Sequence, residues 1–115
     1  MTAEEASKPA RSGGTTIAAH AAHIDFYLKV ISSYMQRGWA EKIDWSKSWL
    51  TKTVNKKEWE VLKKKLSATH NEVMKLMKSF DSWNDDKKIG GAMAVVAHTA
   101  FHTGAIRQIL KSAKT

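Results

Sequence analysis

Histidines at positions 98 and 102 stand four residues apart in "VAHTAFHTGAIRQIL", a stretch that reads as helix. Side chains at i and i+4 lie about 5–6 Å apart at Cβ, close enough for two imidazoles to hold one cation. Histidine is a mediocre helix former, and its ring nitrogens need partners when buried, so the pair requires a role. It sits on the stripe Gly91, Val95, His98, His102, Ala105 or Ile106, and Ile109, the face expected to meet the rest of the molecule, which turns both rings inward. A third ligand is offered by "HAAHIDFY", where His20 and His23 are both candidates. Three neutral imidazoles with an open fourth position suit a catalytic Zn²⁺, Ni²⁺ or Fe²⁺ site rather than a closed structural one. His70 falls level with His102 if the chain reverses near Asp86, and is expected at an edge or on the surface. Other chemistries have no support. "HTAFH" lacks the glutamate of the metalloprotease H-E-x-x-H, and neither a phosphate-binding glycine loop nor a serine or carboxylate pair in a catalytic setting is visible.

The histidines need elements to position them. With 115 residues and 43% hydrophobic composition, the chain has room for one compact domain with a core. One proline, at position 9, and few glycines leave three long uninterrupted stretches, which predict helices and no strand. The first helix is expected from an N-cap at Thr15 or Thr16 to about Gln36, with Ile17, His20, Ile24, Tyr27 or Leu28, Ile31 and Met35 inward. A connection from about Gly38 to Val54, bearing Trp39, Trp45 and Trp49, is too aromatic for a free linker and should pack on the helices with a helical turn of its own. The second helix opens at Asn55, with Glu58 three residues on as in a capping box, and runs to about Trp83. "NDDKKIGG" then reverses the chain, and the third helix runs from Ile89 or Gly90 to Lys111.

Charge and composition narrow the functions. The chain has no cysteine, so thiol chemistry must draw on an external thiol. The net charge of +8 could attract a polyanion. However, Lys56, Lys57, Lys63, Lys64 and Lys65 alternate with apolar residues at helical spacing, as on a solvated outer face, and no nucleic-acid module is recognisable. The N-terminal "MTAEEASKPARSGG" has no apolar run and no later segment is expected to span a bilayer, so a soluble, cytoplasmic protein is the expectation.

"TTIAAHAAHIDFYL" and "VVAHTAFHTGAIRQIL" resemble the two signature helices of the DinB-like (damage-inducible) superfamily, and "IDWSKSW" and "KKEWEVL" are similar to one of its subgroups. The resemblance covers roughly residues 15 to 112. It implies an all-α, up-down-down-up four-helix bundle holding a divalent ion, Zn, Ni, Fe or Mn, through one histidine of the second family helix and two of the fourth. Carried onto this chain, those positions are His23, His98 and His102, with His20 an extra neighbour or alternative ligand. The division implied is a short N-terminal segment, residues 1–14, followed by the bundle domain, residues 15–115. The family's first helix should precede Thr15, where "MTAEEASK" gives one or two turns, so that wall is expected to be short or missing. A second copy covering the exposed apolar stripes, hence a homodimer, is the corresponding expectation. Characterised relatives resemble transferases that use bacillithiol, mycothiol or glutathione. The implied function is thus a metal-dependent thiol S-transferase acting on an electrophilic small molecule, the alternative being a stress-response bundle that binds metal without turnover.

Overall fold

The computed structural model describes residues 1–9, 13–37 and 43–114, with side chains through Ser112. All the regular structure among the described residues is helical: α1 (Ala3–Ala6), α2 (Ile17–Arg37), a 3₁₀ turn (Trp45–Trp49), α3 (Lys56–Lys78) and α4 (Asp86–Lys114). Gly38 and Trp39, assigned from sequence to the connection, lie outside the described residues.

Each helix begins where side chains can take up the backbone N–H groups that a first turn leaves free. Thr16 caps α2, its Oγ1 accepting from Ala19 N at 3.0 Å. Asn55 and Glu58 form the expected capping box on α3, with Glu58 N donating to Asn55 Oδ1 at 2.8 Å and Asn55 N to Glu58 Oε1 at 2.9 Å. Two boundaries differ from expectation. α3 ends at Lys78, where Ser79 caps it, because no apolar position beyond Phe80 continues the buried stripe. α4 starts earlier, at Asp86, since Asp85 Oδ1 accepts from Lys87 N at 2.7 Å and fixes the first turn.

Helix α2 is the centre of the molecule and packs along both α3 and α4. At one end Ile17, Trp59 and Ile109 meet around Ala6; at the other Met35 and Val73 meet with Leu76 and Val95. These pairings make α2 and α3 parallel, which the long Trp-bearing connection allows, and α4 antiparallel to both. The short first helix expected from the sequence is a single turn, α1, pinned at the Trp59 end: Ser7 Oγ donates to Val54 O at 3.0 Å, and Trp59 Nε1 donates to Met1 O at 3.2 Å. Opposite α2, where no long helix lies among the described residues, an apolar groove of about 530 Å³ opens between α3 and α4 over Ile24 and Leu28. His70 is exposed on the wall of this groove, which none of the other histidines lines.

Polar residues follow the same logic. The lysines expected on the outer face of α3 are exposed there. Lys65 reaches Asp25, which is buried in α2, bonded by Thr69 Oγ1 and paired with Lys29 Nζ at 3.2 Å as well. One expectation about the chain is corrected. The α4 segment Asp86–Ser112 is long and apolar enough, by length and composition, to cross a bilayer: its most apolar 18 residues have a mean hydropathy of 1.2, and only 11% of them are buried. The reason is that no Asp, Glu, Lys or Arg falls between Lys88 and Arg107.

Neighbouring glycines in α4 have opposite roles. A Cβ on Gly91 would collide with the Met35 side chain, whereas one on Gly90 meets nothing within 4 Å. Gly91→Val should therefore cost about 2 kcal/mol by overpacking, and Gly90→Ala should stabilise by roughly 0.5–1 kcal/mol through helix propensity. Urea unfolding of the two variants checks both signs.

Candidate metal centre

The four histidines of α2 and α4 meet at the middle of the α2–α4 contact. His20, His23 and His102 are buried and His98 is half-buried. His98 Nε2 lies 3.1 Å from His23 Nε2 and 3.1 Å from His102 Nε2. One ring nitrogen from each of these three lies within 4.8 Å of the other two. His20 is placed differently: its Nδ1 lies 2.7 Å from Nδ1 of His102, on the side of that ring away from His98, and its Nε2 is 3.2 Å from Thr15 Oγ1. Of the two candidates left open by "HAAHIDFY", it is His23 whose free nitrogen joins the α4 pair.

The 3₁₀ turn decides the protonation of His23. Ser48 Oγ donates to Trp45 O at 2.6 Å, so toward His23 Nδ1, at 2.8 Å, it can only accept. His23 therefore carries its proton on Nδ1 and presents a bare Nε2 to the cluster. Trp49 stacks on the same ring with centroids 4.1 Å apart and planes 13° from parallel, and Tyr27 stacks on His98 at 3.5 Å and 10°. Ser48, Trp49 and Tyr27 were not singled out as site residues from sequence. For Ser48 and Trp49 the signal was the turn "DWSKSW", whose tryptophans marked it as packed on the helices, and for Tyr27 it was its place on the inward stripe of the first helix.

Proton counting then exposes a deficit. A neutral imidazole has one N–H and one lone pair. With His23 Nε2 bare, a proton on His98 Nε2 must serve two neighbours at once, and a proton on His102 Nε2 instead leaves the His23 and His98 lone pairs facing each other. With His23 protonated on Nδ1, no assignment gives each 3.1 Å contact its own hydrogen. His98 Nδ1 is in addition buried without a hydrogen-bond partner among the described residues. A single cation satisfies all three Nε2 lone pairs together. Around tetrahedral Zn²⁺, with Zn–N of about 2.0–2.1 Å, ligand nitrogens stand about 3.3 Å apart, within a few tenths of an ångström of the two contacts seen. The residues present therefore fit a divalent ion. With His102 Nε2 bare, its Nδ1–H donates to His20 Nδ1, and His20 Nε2–H donates to Thr15 Oγ1, completing a chain that ends at the surface.

Electrostatics keep the rings in the form that can coordinate. Burial, reinforced by the neighbouring histidines, lowers the pKa of His98 and of His102 from 6.5 to about 4. Burial also lowers His20 and His23, with His23 adding to the effect on His20. Comparison with protein-family models, with curated proteins and with solved structures finds no match for the chain.

The depressed values set a pH dependence. The unfolded chain binds protons more tightly at these histidines than the folded chain does, so stability is complete above about 6.5 and is lost as pH falls through about 4. In chelator-treated buffer the melting temperature should fall between pH 7 and pH 4.5, and the fall should shrink in a His98→Gln, His102→Gln double variant. An equal fall in parent and variant would show that the carboxylates, not this cluster, control acid stability.

Proposed function

We propose that this chain is a divalent-metal-binding helical bundle of the DinB-like kind, with His23, His98 and His102 as ligands, and that the ion serves thiol-dependent S-transfer to an electrophilic small molecule. The observation that carries the metal reading is the placement of His23, whose Nδ1 lies against Ser48 Oγ and whose Nε2 lies 3.1 Å from His98 Nε2, with a ring nitrogen of His102 within 4.8 Å. The parallel α2 and α3 with an antiparallel α4 are consistent with the last three helices of the bundle that the resemblance implies. A divalent ion in an open three-histidine site would lower the pKa of an incoming thiol, which fits a chain without cysteine. The protein side chains hold the ligand rings in place. Trp49 and Tyr27 fix their planes, Ser48 holds the proton on His23 Nδ1, and His20 with Thr15 does the same for His102. Metal binding without turnover is the second reading, favoured by the single turn of α1, which leaves the side of the bundle opposite α2 open.

Metal binding is tested by melting the parent with and without Zn²⁺ or Ni²⁺. At metal concentrations 100-fold above Kd the parent should gain about 2.7 kcal/mol at pH 7.5, on the order of 10 °C in Tm. The gain should shrink at pH 5.5 and vanish in His23→Ala, His98→Ala and His102→Ala. No shift in the parent at either pH would sink the site. Elemental analysis of untagged protein should find about one equivalent of metal. Incubation of the loaded protein with a low-molecular-weight thiol and an electrophile separates the two readings: turnover lost in His102→Ala supports the transferase, and none with any metal supports the binder.

His20 should act through His102 rather than as a ligand. His20→Ala is expected to weaken metal binding by about 10–100-fold without changing the stoichiometry, and His20→Asn, whose carbonyl can still accept from His102 Nδ1, should recover part of the loss. Titration calorimetry measures both, and a loss of stoichiometry in His20→Ala would make His20 a ligand.

A further inference from the structure

The outer face of α4 is unusually apolar for a surface. Met93, Val96 and Phe101 are 68%, 69% and 70% exposed, and Ile89 is 41% exposed. Ala97, Ala100 and Gly104 are exposed on the same side, turned away from Gly91, His102 and Ile109, which are buried against α2. Two rows at i, i+4 spacing run along this face: Ile89, Met93, Ala97 and Val96, Ala100, Gly104. The first row is large at its N-terminal end and the second small at its C-terminal end. At the two ends of the face stand opposite charges, Asp86 and Arg107, both exposed and neither with an ion-pair partner among the described residues.

We infer that α4 pairs with α4 of a second copy of this chain, antiparallel about a two-fold axis between Val96 and Ala97. That axis brings residue i opposite residue 193 − i of the other copy. Ile89 then faces Gly104, Met93 faces Ala100, and Val96 faces Ala97, so each large side chain of the two rows meets a small one. The same operation sets Asp86 against Arg107 at both ends of the pair. Size and charge complementarity thus come from one register, as an isologous interface requires. A crossing of about 20° at 8–10 Å between axes, the coiled-coil class of packing, keeps the charged ends within reach of each other. A parallel pair would instead place Asp86 on Asp86 and Arg107 on Arg107. The surface is distinct from the histidine cluster, which faces α2, and the inference does not depend on metal.

Sedimentation equilibrium of the full chain should show a dimer at micromolar concentration. Val96→Glu, which sets two carboxylates beside the axis, should raise the dimer dissociation constant at least 100-fold. Asp86→Arg and Arg107→Asp should each raise it several-fold, and the double variant Asp86→Arg, Arg107→Asp should return it toward the parent value. Because the chain lacks cysteine, Val96→Cys gives a single thiol, and a short bismaleimide should cross-link it to a dimer. Circular dichroism of each variant establishes that it folds. A parent that stays monomeric at 50 µM overturns the proposal, and flotation of that monomer with vesicles would assign the face to a bilayer instead. A dimer indifferent to Val96→Glu, or a double variant no tighter than either single one, overturns the antiparallel register.

Discussion

The close approach of α2 and α4 is the constraint from which the rest of the structure follows. Gly91 has no side chain because Met35 occupies the space, and at the far end Ile17 and Ile109 share a buried cluster. Between these two contacts lie the histidines. Helices held this near leave no room for water between the rings, so nitrogens that would otherwise be solvated face one another at 2.7–3.1 Å. Desolvation favours the neutral rings, and neutrality produces both the shortage of protons and the capacity to take up a cation.

A buried polar group is tolerable where its partners are complete, and α2 carries two contrasting cases. Asp25 is nearly inaccessible, but Thr69, Lys29 and Lys65 surround it, and the long lysine stems keep their exposed ammonium groups beside the carboxylate. It is a structural tie between α2 and α3. The histidine cluster, one turn away on the same helix, is incomplete: His98 keeps an unpartnered Nδ1, and two contacts compete for one hydrogen. Natural interiors rarely leave such a deficit without a function or a ligand. The difference separates a buried group whose hydrogen bonds and charge are matched from a cluster whose nitrogens are left short of partners.

Helix α4 serves two surfaces at once. Its inner face is committed to α2 by a glycine, two histidines and Ile109, while its outer face is nearly free of charge for five turns. A soluble helix normally alternates core and solvated faces, so a second apolar face implies a second covering. The one-turn α1 does not supply it, since α1 lies at the Trp59 end of the bundle.

Periodicity determined the all-helical class and the inward stripes of α2 and α4, and residue type marked the Asn55–Glu58 cap, because side-chain direction and capping in a helix are local properties. The i,i+4 spacing of His98 and His102 likewise guaranteed that the two rings share a face. Helix ends were legible only to within one or two turns, being set by single capping residues such as Asp85 and Ser79. Although the resemblance pointed to His23, the choice between it and His20 was not in the local periodicity, for the two are three residues apart on one face and differ only in which nitrogen each turns toward α4. Nor was the role of Ser48, which is remote in sequence and reaches His23 only because the 3₁₀ turn folds back on α2. Those assignments depend on the rotation of one helix against another and on the path of a connection. Both are fixed by packing across the whole chain, which is why only the tertiary structure could decide them.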